Sequence, residues 1–169
     1  MVELSEVKRV IEERGITPCH AFFATFIAAF HASGVLTQGV VNLVATHAAE
    51  TLDAYLRAMG LIRVNGSTPE ERMGSLIDSV LGALEWGEWS VEKGKGLVRL
   101  RVKTSKCRYC PKGVGRGQLP GTACPLPKLI ERLANIEGIN ARLVYRREGG
   151  RVLSLVRTSD ECVIEYEVS

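Results

Sequence analysis

The chain has 169 residues, 46% of them hydrophobic and 24% charged, at a mean hydropathy of +0.06, a globular composition that excludes a disordered, collagen-like or fibrous chain. Its length suits one domain that buries roughly 70% of the surface its unfolded form exposes. The net charge of +3 conceals an asymmetry: Lys93 to Lys128 holds ten of the 22 basic residues and none of the 19 acidic ones, a basic segment in an otherwise acidic body.

In chain order, the first half reads as helices. Leu4, Val7, Val10 and Ile11 form an amphipathic stripe over Val2 to Arg14, which Gly15 stops. Pro18 opens a second helix to about Ser33, apolar on nearly every side. A third runs from Thr37 to Met59 and ends at Gly60, and Thr68-Pro69-Glu70-Glu71 is a capping box that opens a fourth to about Leu84. The period then changes. Trp86 to Glu92 and Leu97 to Lys103 form a hairpin across Gly94-Lys95-Gly96, with Val98, Leu100 and Val102 inward and Arg99, Arg101 and Lys103 wet. A helix from Leu126 to Ile136, stopped by Gly138, precedes strands at Ala141 to Arg147, Arg151 to Thr158 and Cys162 to Val168. Short turns pair strands antiparallel, so the expectation is one α+β domain over residues 1–169, with a helical half (1–84) and a mixed half (85–169). In the order αααα-ββ-α-βββ, its N-terminal helices cover one face of a twisted antiparallel sheet.

Five cysteines behind an acidic start, with no basic signal-like region, point to a reducing, cytoplasmic setting where thiols bind metal or do redox chemistry; disulfide pairing stays an alternative. The longest apolar run, Ala21 to Phe30, has ten residues and is too short to span a membrane.

Cys107-Arg108-Tyr109-Cys110 leaves a strand and enters Pro111-Lys112-Gly113, the form of a zinc knuckle, in which two intervening residues let both sulfurs meet one ion. Cys124 follows after a glycine-rich loop, at the start of a helix whose dipole favours a thiolate, and is the natural third ligand. For the fourth position Cys162, pointing inward with Ile164 and Tyr166, competes with Cys19, His20 and a water that would leave the site open. Lys106, Arg108, Lys112 and Arg116 should lower the thiol pKa values, which also admits a redox reading.

Phe22, Phe26 and Phe30 form a ridge at helical spacing, which core packing, a helix-mediated dimer or an apolar ligand pocket would bury. His20 and His31 lie too far apart to share an ion, and His47 and Glu50 could meet without completing a metalloprotease pattern. The glycines at 113, 115 and 117 do not run from a strand into a helix, so flexibility between ligands explains them better than phosphate binding. The basic sheet face of Arg99, Arg101, Lys103, Arg142 and Arg146 reads as solvated ion pairs with Glu165 and Glu167, because nucleic-acid binding would need interleaved aromatics and only Tyr109 is placed for it.

The run from about Ser75 to Val168 resembles the 4-vinyl reductase-type, or hydrocarbon-binding, domain. The resemblance rests on Leu97 to Cys107, on Gly121-Thr-Ala-Cys124-Pro with its following helix, and on Cys162 to Val168. It implies an α+β fold shared with Golgi-transport tethering subunits and haem nitric oxide sensors, helical dimers, small-molecule binding, and metal at Cys107, Cys124 and Cys162. A cysteine that the family often carries about seven residues before the last is Leu155 here.

The combined expectation is a homodimeric cytoplasmic domain that binds or senses a small apolar ligand through Phe22, Phe26 and Phe30. It carries structural zinc on Cys107, Cys110, Cys124 and Cys162, with no catalytic residue. A thiol- or zinc-dependent, reductase-like enzyme is the alternative, and a zinc-containing nucleic-acid module the third reading.

Overall fold

Four helices open the chain in the computed structural model, which describes residues 4–110 and 124–169: α1 (Leu4–Arg14), α2 (Pro18–Ala32), α3 (Gln38–Ala58) and α4 (Pro69–Ala83). Each of the last three starts on a threonine whose hydroxyl accepts a backbone N–H of the first turn. At Thr68 the box is reciprocal, since Glu71 accepts the Thr68 N–H. Helix α4 ends without glycine: Glu85 takes φ +50 and the Trp86 N–H reaches back to the Leu81 carbonyl, which turns the chain toward the sheet.

Strands β1 (Trp89–Gly94) and β2 (Leu97–Lys103) form the expected hairpin, and α5 (Leu126–Ile136) follows. After it come β3 (Ala141–Leu143), β4 (Arg146–Glu148), β5 (Arg151–Leu153), β6 (Val156–Arg157) and β7 (Glu161–Val168). The sheet runs β1-β2-β7-β3, antiparallel throughout, with β6 beside β3 on the same edge of β7. The register sets Val98 opposite Tyr166, Leu100 opposite Ile164 and Val102 opposite Cys162. One face of β2 and β7 therefore meets α3, α4 and α5 in a single core that contains Leu76, Ile77, Val80, Leu81, Ile130 and Leu133 without exposure. Each such side chain contributes about 1.5–3 kcal/mol. The fold is α+β, helices on one face of an open antiparallel sheet.

Three strand boundaries differ from those read in the sequence. The first strand starts at Trp89 because Trp86 is taken into the core by the turn after α4. The runs 141–147 and 151–158 are each broken, because Arg146, Arg147 and Glu148 have no apolar face to bury and leave the sheet as a separate ribbon, β4 with β5. Gly149 and Gly150, at φ +54 and +77, close that ribbon. The chain returns through buried Ser154 and Leu155 to β6.

Among the described residues no single helix is long and apolar enough to cross a membrane; the pair Val7–Arg14 and Pro18–Ala32 passes by length and composition together but is bent by 117°.

Candidate metal centre

Beyond Lys103 the chain turns tightly: the Cys107 N–H returns to the Lys103 carbonyl at 3.0 Å, and the Arg108 N–H bonds the Trp86 carbonyl at 3.1 Å. Gly87, at φ +127, lets the chain after α4 pass this turn, where any Cβ would strike the Lys106 carbonyl. The β2–β7 register puts Cys162 beside the end of β2, and Cys124 stands immediately before the first turn of α5. Cys107, Cys124 and Cys162 all pack against the main core.

The sulfurs sense one another. Burial pushes the Cys107 thiol up to about 12, and the neighbouring Cys110 and Cys162 push the same way, against backbone N–H groups of Tyr109 and Cys110 that favour the thiolate. Burial raises Cys124 well above an ordinary thiol, aided by Cys107, Cys162 and Cys110 and opposed by the Leu126 N–H. The expected lowering by surrounding cations is therefore overturned at Cys107. Lys106 spends its ammonium on the Glu13 carbonyl at 2.8 Å, and Arg108 spends its guanidinium on the Arg14 carbonyl and on Glu85, at 3.1 and 2.7 Å. Lys112, Arg116 and the glycines from 113 to 121 lie outside the described residues.

This knuckle is also where the N-terminal helices attach. Arg14 donates to the carbonyls of Cys107 and Cys110, both at 3.3 Å. The Tyr109 ring stacks on Trp86 at 4.3 Å and takes His20 and Phe23 edge-on at 4.9 and 5.4 Å, while its hydroxyl donates to the Leu84 carbonyl at 2.8 Å. Tyr109 is thus a clamp between α2 and the turn after α4. The sequence signal was an aromatic between two cysteines, but its partners lie 23 to 89 positions away and could not be read locally.

The rival ligands are placed elsewhere. His20 is buried, and its Nδ1 accepts the Thr17 N–H at 3.2 Å as part of the α2 cap. Cys19 is exposed beside it, in a cleft of about 410 Å³ with Thr17, Phe23 and Glu85. Among the described residues no three histidine, cysteine, aspartate or glutamate side chains are gathered closely enough to hold an ion as they stand. The donor chemistry fits a soft divalent metal in kind: four thiols, and N–H groups already aimed at two of them.

Phe22, Phe26 and Phe30 form the expected ridge, with rings 5.9 and 4.5 Å apart in sequence, but they face outward at 71%, 49% and 38% exposure. They do not line a space between helices and sheet. His47 is exposed and Glu50 lies 3.8 Å from Arg132. On the opposite sheet face Arg99 pairs with Glu165 and Glu92, Arg101 with Glu92 and Glu161, and Arg146 with Glu165, a cross-strand ion ladder that uses the expected Glu165 and, beside it, Glu92 and Glu161 rather than Glu167.

The structure defines a class: an α+β domain whose N-terminal helices are latched to its sheet through a cysteine knuckle. Residues 34–168 match the model of the MJ0207 family, and the chain belongs to that family. The match begins just after α2, so α1 and α2 stand outside it. A stretch of 32 residues is 44% identical to the uncharacterized protein MJ1342 of Methanocaldococcus jannaschii, covering 19% of this chain and 28% of that protein's length. Neither likeness makes a link to 4-vinyl reductase domains.

Proposed function

We propose that this is a metal-pinned binding module in which Cys107, Cys110, Cys124 and Cys162 hold one zinc ion. The supporting observation is that buried Cys107, at β2's exit, and buried Cys124, at the start of α5, each feel the charge of Cys110 and of Cys162 on β7, with backbone N–H groups aimed at both. Sulfurs brought together in this way repel one another as thiolates, whereas a divalent cation turns the same arrangement into attraction. Bound there, the metal would supply a structural crosslink, because four sulfur donors close a tetrahedral site and leave no position for substrate. The crosslink would hold the knuckle on which α1 and α2 rest.

The outward ridge of α2 is, in this reading, covered by a second copy of the chain. The three exposed rings leave on the order of 300 Å² uncovered, enough for a contiguous patch to mark an interaction site.

The test is elemental analysis and native mass spectrometry of the purified, fully reduced protein. One zinc per chain is expected, lost together with resistance to thermal unfolding when Cys107 and Cys124 are changed to serine. A metal-free reduced protein whose unfolding the substitutions do not move would overturn the proposal.

A further inference from the structure

Helices α3 and α5 pack together through small side chains: Ala45 and Ala49 of α3 are buried at successive turns, and Asp53 continues the same stripe one turn later at 8% exposure. A carboxylate in an apolar seam needs an answer from the facing helix. What meets it there is a second acid, Glu137, the C-terminal cap of α5, whose side chain is 9% exposed.

Arg57, one turn beyond Asp53, serves both: its Nε donates to Asp53 Oδ2 at 3.0 Å, and its Nη2 lies 2.6 Å from Glu137 Oε1. The second contact is outside hydrogen-bond geometry, so Glu137 Oε1 and Asp53 Oδ1 are both buried without a donor among the described residues. The two carboxyl groups lie within hydrogen-bond reach of each other. Ionised carboxylates offer only acceptors, whereas one proton makes the pair a donor and an acceptor.

The surrounding charges leave this arrangement in place. Arg72 of α4 donates to the Glu137 backbone carbonyl at 3.0 Å and acts on the carboxyl only from a distance. Lys128 and Glu131 of α5 pair with each other, Arg132 lies 3.8 Å from Glu50, and Glu70, Glu71 and Asp78 of α4 are taken up by Gly96, Ser67 and Trp89. Burial and the neighbouring Asp53 together hold the Glu137 carboxyl above its ordinary range, against Arg57 and Arg72.

From this geometry we infer that Asp53 and Glu137 hold one proton between them, which makes the α3–α5 junction a pH-sensitive latch, closed while the proton is bound and loosened when it leaves. The protonated pair sets one negative charge against Arg57, whereas the ionised pair sets two facing carboxylates against it. The folded chain keeps a proton that the unfolded chain releases near pH 4.5, so the latch contributes fully below that value and its contribution falls as pH rises through the higher folded-state value. The pair shares no residue with the cysteine cluster and stands or falls independently of the metal proposal.

Urea unfolding of the reduced, full-length protein from about pH 4.5 to about pH 9 tests the latch, with Glu137→Gln and Asp53→Asn as variants that each supply a permanent amide donor in place of the proton. The wild-type unfolding constant should rise by up to about tenfold per pH unit relative to that of either variant, until the proton is lost. Carbon-13 NMR of the side-chain carboxyls reads the same event directly: Glu137 should titrate above the ordinary glutamate range in the wild type and lower in Asp53→Asn. Wild-type and Glu137→Gln curves that run parallel across this range, or a wild-type Glu137 that titrates like an exposed glutamate, would overturn the inference.

Discussion

Truncating Tyr109 to alanine removes a ring that touches three aromatic partners and a hydroxyl that satisfies the Leu84 carbonyl. Each aromatic pair contributes about 0.5–1.5 kcal/mol beyond burial, the hydrogen bond about 1 kcal/mol, and large aromatic truncations in packed sites cost about 3–5 kcal/mol. Because Tyr109 is half-buried, the expectation is the lower end of that range, about 3 kcal/mol. The loss should be local in kind. His20 and Phe23 belong to α2, so the variant should release the N-terminal helices while α4 and β2, held in the core through Leu76, Ile77, Val80, Val98 and Leu100, stay closed. Urea unfolding gives the magnitude, and amide hydrogen exchange gives the place, with faster exchange expected across residues 4–32 and unchanged protection across 69–83. Tyr109→Phe should cost about 1 kcal/mol with the helices still attached. A loss below about 1 kcal/mol for Tyr109→Ala, or uniform loosening of the whole chain, would refute the clamp.

The Arg146 and Arg99 hydrogen bonds hold the Glu165 carboxyl below its ordinary value, so its contribution is complete above about pH 4.5 and disappears as pH falls through the lower folded-state value. Unfolding curves for wild type and Glu165→Gln should therefore separate near neutrality and converge in acid; parallel curves would contradict the ladder. Thr68→Ala should cost about 1 kcal/mol in chemical denaturation, because it removes the hydroxyl that accepts the Glu71 N–H. Phe26→Glu, placed in the middle of the exposed ridge, should shift a dimer to monomer in sedimentation with little change in helicity, and a wild-type monomer at all concentrations would remove the case for self-association.

How much was legible depended on the range of the interaction. Thr68-Pro69-Glu70-Glu71 and the alternation from Leu97 to Lys103 are local patterns, because a cap needs one turn of helix and a pleat has period two. The helices, the hairpin and the wet arginine face followed from them. The break at Arg146 was missed because strand propensity does not reveal whether a segment has anything to bury. The Cys-x-x-Cys spacing was plain, but the surroundings of its sulfurs were not. Lys106 and Arg108 look like thiolate-stabilising charges until the fold brings Glu13, Arg14 and Glu85 to them.

The chain's own order of residues determined which segments are helix or strand, which faces are apolar, and that thiols cluster near a basic stretch. Only tertiary structure decided that Cys162 lies opposite Val102, that Tyr109 joins α2 to the body, and that the phenylalanine ridge looks outward. Periodicity specifies a face within one element, whereas the identity of what covers that face depends on contacts between residues far apart in sequence, whose pairing is set by the packing of the whole core.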